Sequence, residues 1–167
     1  WHFVTPDARD VMLTSGLRVP AAPVQQVGDC DMLLVVAGFD LDAQATPALL
    51  ASLRRLGRSA RVVAGIDGGP WIMARAGLLD GHRATIHWED LDRFAMEFPA
   101  ISVENARFVD SGVRLTSGGA APAIEMMLHL IARWHGAALS DRIAGILIYD
   151  ATATAARPQN RQNLRAR

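Results

Sequence analysis

The sequence predicts an α/β layered fold with a mainly parallel sheet. Three observations carry that expectation. Strand-like and helix-like stretches alternate along the chain. The run Met32-Leu33-Leu34-Val35-Val36-Ala37 is continuously apolar and ends at Gly38, which suits a strand buried on both faces. A second strand, Arg61 to Ile66, runs into Asp67-Gly68-Gly69-Pro70, a glycine-rich turn that opens a helix on proline. At 167 residues, half of them hydrophobic, the chain is long enough for one domain with a substantial core.

The elements follow in order. Trp1 to Val4 reads as a short strand. Val11 to Val19 reads as an irregular hairpin turning at Gly16, with Pro20 and Pro23 as breakers. Thr46-Pro47 supplies an N-cap and a first-turn proline for a helix over Ala48 to Leu56, with Gly57 as its stop. Pro70 to Ala76 is the next helix, and Arg83 to His87 a short strand. Glu89 to Phe98 places Leu91, Phe94, Ala95 and Phe98 on one helical face and ends before Pro99. Ile101 to Val103, Arg107 to Val109 and Val113 to Leu115 are short strands, the last two joined by the turn Asp110-Ser111-Gly112. Ala121 to Trp134 is a long helix entered from Thr116-Ser117-Gly118-Gly119, and Ser140 caps a final helix to Tyr149. From Ala151 the chain becomes small, polar and basic, with four Arg among its last eleven residues, and reads as a linker or extended tail.

Composition excludes several functions. Seventeen Arg balance seventeen acids, with no Lys, so net charge gives the domain no general attraction for nucleic acid. The absence of Lys reads as a bias of genome composition. A single cysteine, Cys30, rules out an intrachain disulfide or a multi-Cys zinc site, and an inert half-buried thiol is expected. No apolar run approaches the ~20 residues that span a membrane. No signal peptide is visible, so the expected location is cytoplasmic, with no membrane partner. His129 and His135 are six apart, and no histidine pair has ligand spacing; neither a metal nor a cofactor is expected.

In parallel sheets, ligands bind beyond the carboxyl ends of strands. Gly38 and Asp67 both stand there and are expected to line one crevice. Asp67 has two compatible readings: a helix cap for free N–H groups, or a ligand contact. His87 is either a core histidine with satisfied nitrogens or a pocket donor. Trp88 is either packed in a core or interface, or an aromatic wall for a cation. Gly38-Phe39 is a turn whose backbone N–H can hold a carboxylate or carbonyl oxygen. Glu89 suits the first turn of its helix.

The run from Leu78-Leu79-Asp80-Gly81 through Arg83-Ala84-Thr85 to His87-Trp88-Glu89 lies twenty residues after the elbow. With Phe98-Pro99 and Thr116-Ser117-Gly118-Gly119, it resembles the N-terminal, PfpI-like domain of AraC-type transcriptional regulators, in the class I glutamine amidotransferase-like superfamily. The resemblance covers Trp1 to Asp150. It implies a three-layer α/β/α sandwich of flavodoxin-like type. It also implies that the elbow position holds Cys in the enzymes, with His twenty residues on; here these are Asp67 and His87. Some such regulators carry Asp-Thr-Gly at the elbow, where this chain has Asp67-Gly68-Gly69.

The resemblance further implies a first strand and helix before Trp1. It places 151–167 as a basic linker toward a DNA-binding helix-turn-helix domain outside this sequence. The expected function is effector sensing and homodimerisation within a transcription regulator, with DNA bound only through that other domain. The expected ligand site is Gly38, Phe39, Asp67, Gly68, Gly69, His87 and Trp88, with Asp67 as counter-ion to an amine or quaternary ammonium metabolite and no catalytic residue. The alternative is a PfpI-like hydrolase, hydratase or glyoxalase-like enzyme, disfavoured because carboxylate is a poor substitute for thiolate. A third reading keeps the domain for dimerisation alone.

Overall fold

The structure is a computed structural model that describes residues 1–5, 9–13, 15–150 and 157–159. Its centre is a four-stranded sheet. Strand β1 (Val4–Thr5) pairs with β4 (Ala22–Pro23), and β2 (Val11–Met12) with β3 (Arg18–Val19), as two small ribbons before it. The sheet itself runs β5 (Met32–Ala37), β6 (Val62–Asp67), β10 (Arg114–Ser117), β9 (Phe108–Ser111) in space. The first three strands are parallel and β9 is an antiparallel edge. A further small parallel pair joins β7 (Arg83–Ala84) to β8 (Ser102–Val103).

Strand alternation sorts the core into two layers. Leu33, Val35 and Val63 face a cluster with Leu53 and Leu56 of α2 (Pro47–Ser59), Trp71 and Met73 of α3 (Gly69–Arg75) and Phe94 of α4 (Leu91–Glu97). Val62, Ala64 and Leu115 face the other way, onto Met126 and Leu130 of α5 (Ala120–His135). Helix α6 (Ala137–Ile146) packs on α5. Burial on both faces accounts for the unbroken apolar run of β6. β5, expected to be buried on both faces, stands at the end of the strand order instead: it buries Leu33 and Val35 on one face, while Val36 on the other is 69% exposed.

The expected helices and most of the expected strands are present, but the first strand is Val4–Thr5 rather than Trp1 to Val4, the last helix ends at Ile146 rather than Tyr149, and the strand Ala22–Pro23 and the short helix Leu41–Gln44 are additions. Four further differences have physical causes. Helix α2 does not stop at Gly57 but continues to Ser59. A Cβ at Gly57 would stand 3.1 Å from Leu78, so the glycine serves close packing rather than a cap. The segment after β7 leaves the ladder at Thr85, whose N–H donates to the Thr116 hydroxyl at 2.8 Å. Helix α6 starts at Ala137, after Gly136 at φ 90 breaks α5. Ser140 lies inside α6, and its hydroxyl donates to the Leu128 carbonyl at 2.9 Å instead of capping. Most of the expected linker, 151–156 and 160–167, lies outside the described residues. Arg157–Gln159 do not read as free tail: Arg107 N–H donates to the Arg157 carbonyl, and Gln159 is 8% exposed.

Candidate functional site

The parallel register aligns Ala37 with Asp67. The residues after β5 and the elbow after β6 therefore emerge side by side at the carboxyl edge of the sheet. The elbow is built by exclusion. Gly68 N–H donates to the Ala37 carbonyl at 2.7 Å. A Cβ on Gly69 would fall 2.0 Å from the Val35 carbonyl oxygen, and one on Gly68 would fall 2.5 Å from Leu41. Only glycine lets α3 start this close to β5. The turn forces Asp67 to φ 62, a left-handed conformation that Asp and Asn tolerate better than most residues.

Asp67 does not cap α3. The cap position is Gly68, with no side-chain hydrogen bond. The Asp67 carboxyl instead faces outward, with Oδ2 3.7 Å from where a Gly38 Cβ would be. Among the described residues no donor is hydrogen-bonded to it. Burial pushes its pKa above the ordinary carboxylate value; His87 works against that shift, while Asp90 and Glu89 add to it.

A cavity of about 640 Å³ opens over this edge. Of the residues expected at the ligand site, Gly38, Phe39, Asp67 and His87 line it. Gly68, Gly69 and Trp88 do not. The two glycines are buried beneath the turn, and Trp88 packs against the core behind His87, with ring centroids 5.5 Å apart. The aromatic group that does reach the cavity is Phe39, 73% exposed. Asp40, Asp42, Glu89 and Asp90 join Asp67 in the wall, so five carboxylates face one guanidinium, Arg93. These four acids were not singled out as ligand contacts from sequence. The available signal was Asp40-Leu41-Asp42 directly after a strand end, and Glu89-Asp90 after His87.

Asp42 is already satisfied. Its carboxylate accepts from Arg93 at 2.6 Å, Arg75 at 3.0 Å and Trp71 Nε1 at 3.1 Å. Those donors, Arg93 first, hold its pKa down at about 2. Among the described residues no Arg pairs with the other four acids, so carboxylates outnumber guanidinium groups in the wall although the whole chain is neutral. His87 Nδ1 lies 3.6 Å from the Glu89 carboxylate and accepts from Glu89 N–H at 3.5 Å.

Among the described residues no Cys, Ser or Thr lines the cavity. Cys30 precedes β5, at the opposite end of a six-residue strand roughly 20 Å long. Burial pushes its thiol pKa up, with Asp29 and Asp31 adding to the shift, the reverse of an activated nucleophile.

A two-faced parallel sandwich with a strained acidic elbow at its carboxyl edge is a flavodoxin-like, glutamine amidotransferase-like domain. The chain belongs to the DJ-1/PfpI family, whose pattern matches residues 2–133. It is 40% identical over 145 residues to the HTH-type transcriptional regulator CdhR of Pseudomonas aeruginosa, covering 86% of this chain and 43% of that protein. It is 34% identical over 151 residues to the HTH-type transcriptional regulator GbdR of the same species, covering 90% and 41%. The chain therefore spans less than half the length of these relatives. The crystal structure of an AraC family transcriptional regulator from Pseudomonas putida superposes with a TM-score of 0.75 at 26% identity, covering 86% of this chain and 78% of that one. A more distant relative, 31% identical over 136 residues, is an isonitrile hydratase of Pseudomonas putida, covering 77% and 57%. The domain is thus related to the N-terminal domains of AraC-type regulators, as its motifs led us to expect. Among the described residues no helix is long and apolar enough to cross a membrane.

Proposed function

We propose that this domain is the effector-sensing part of an AraC-type transcription regulator, and that its effector is a small cationic metabolite, an amine or quaternary ammonium compound. One observation carries the reading: five carboxylates face one guanidinium across a 640 Å³ cavity, and the half-buried Asp67 carboxyl has no donor among the described residues. A cation entering there gains Coulomb energy in a partly desolvated site, against an acid already desolvated. Phe39 offers the aromatic face for the cationic group. Trp88 keeps a supporting role behind His87, and Gly68 and Gly69 keep the elbow tight rather than touching the ligand. The working protein is a cytoplasmic homodimer that binds DNA through a domain outside this sequence, and effector binding shifts the dimer between arrangements.

Isothermal calorimetry against a panel of amines, quaternary ammonium compounds and amino acids tests this. Asp67→Asn is expected to weaken the best ligand at least tenfold, and Phe39→Ala by a few-fold. Affinity unchanged in both variants would remove the cavity from consideration.

The hydratase relative supports a second reading, hydration of a small unsaturated substrate. Such chemistry needs a nucleophile or base at the elbow, which only Asp67 could supply. Turnover of an isonitrile by the parent that disappears in Asp67→Asn would favour it over sensing.

A further inference from the structure

We propose that Gln159 is a positioning residue for the cavity wall at His87, so that the chain leaving the domain is mechanically tied to the site. The Gln159 side chain is buried at a place the sequence marks only as tail. Its amide nitrogen lies 2.8 Å from the Ile86 carbonyl, 2.9 Å from the Ala106 carbonyl and 3.0 Å from the Thr85 hydroxyl oxygen. The reversed amide would put its oxygen against two carbonyls, so the two N–H groups must face these acceptors. The backbone holds the segment independently. Gln159 N–H donates to Asn105 Oδ1 at 3.2 Å, and Arg107 N–H donates to the Arg157 carbonyl at 3.1 Å.

The link to the cavity runs through one peptide unit. Its carbonyl, from Ile86, accepts from Gln159; its N–H, on His87, donates to the Asp67 carbonyl at 3.3 Å. A rigid planar group held at both ends has little freedom to rotate, and the His87 ring hangs from it. The same glycine pair beds both partners. A Cβ on Gly118 would sit 2.4 Å from the Gln159 amide, and one on Gly119 would sit 3.9 Å from His87 Cδ2. Releasing Gln159 frees the Ile86 carbonyl and lets His87 turn away from Asp67. By reciprocity, an occupant that touches His87 biases whether the segment around Gln159 stays docked. The proposal concerns the coupling alone and holds whatever occupies the cavity.

Hydrogen exchange and histidine NMR on the purified chain test it. In Gln159→Glu, which keeps the shape but faces two carbonyls with an acceptor, the His87 amide is expected to exchange at least tenfold faster. The His87 imidazole resonance should move while those of His2, His82, His129 and His135 stay, with the Val62–Gly65 amides as a control for global stability. Asn105→Ala, at an exposed side chain, should loosen the segment from outside and give the same pattern more weakly. The proposal is overturned if the His87 amide and ring are unchanged in both variants. It is equally overturned if protection falls uniformly, with no part specific to His87.

Discussion

Asp67 sits at φ 62 on the glycine-walled elbow after β6 and carries a carboxyl that burial disfavours in its ionised form. Such an arrangement is a local liability unless a ligand repays it. The folded-state pKa lies above the unfolded value, so the fold holds this proton more firmly than the unfolded chain does. Stability from this group is therefore full below the ordinary carboxylate value and is lost as pH rises through the folded value. Asp67→Asn keeps the shape and the tolerance for a left-handed backbone while removing the charge. Its melting temperature should exceed that of the parent at pH 7, and the gap should close as the pH falls below both values. Thermal unfolding followed by circular dichroism from pH 3 to 8 checks this. A variant that gains stability and loses amine binding would mark Asp67 as kept for recognition. An equal or lower melting temperature at pH 7 would mean that the carboxylate has a compensating partner.

At the scale of elements, the short helix α1 (Leu41–Gln44) forms one bank of the cavity and is too short to hold itself. Leu41 tucks against Gly68, and Asp42 ties α1 to Trp71 and Arg75 of α3 and to Arg93 of α4. Arg93 also lies over the Trp71 ring, 4.3 Å from its centroid, and pairs with Glu97 one turn on. Asp42 has its folded pKa lowered to about 2, so its contribution is complete above the ordinary value of 3.8 and decays as the pH falls toward about 2. Asp42→Ala should raise the exchange rate of the Gln44 amide, which donates to the Asp40 carbonyl at 3.0 Å, with little change in the sheet. Amide exchange resolved by NMR reads it. Sheet amides that loosen equally would show that α1 is not an independently held unit.

This bank of the cavity also shows where the sequence stopped being legible. β5, β6 and the elbow could be read because unbroken apolar runs and Gly-Gly-Pro act over a few residues. Asp42 could not, because its partners lie 29 to 51 positions away, and Gln159 is further still, 73 positions from Ile86. A polar residue in a low-complexity tail gives no local sign that a glycine elsewhere has left room for it. Of the two readings open for Trp88, the structure shows core packing, and the sequence could not choose between them for a related reason. Adjacency to His87 fixes its place in the chain but not which side of the wall its ring takes.

For the whole molecule, the sandwich is closed on the α5 side by one buried acid. Glu125 receives a bidentate pair of donors from Arg107, with Nε at 2.8 Å from Oε2, and the Tyr149 hydroxyl at 2.6 Å. These bonds join α5, the approach to β9 and the chain just after α6. Burial works against the Glu125 charge, yet Arg107 and then Tyr149 outweigh it and hold the carboxyl below its ordinary value. Its contribution is thus present above that value and lost on acidification through the lower folded pKa. Breaking one side of such a pair strands the other. Glu125→Ala should cost about 3 kcal/mol at pH 7, the lower end of the range for buried pairs because Arg107 keeps some solvent access. The double variant Glu125→Met with Arg107→Leu removes both charges and refills the volume, and it should recover most of that loss. Urea unfolding of both at pH 7, repeated at pH 4, separates the cases. If the double variant is as unstable as the single one, the network contributes through its geometry, fixing where the chain leaves the domain, rather than through charge compensation.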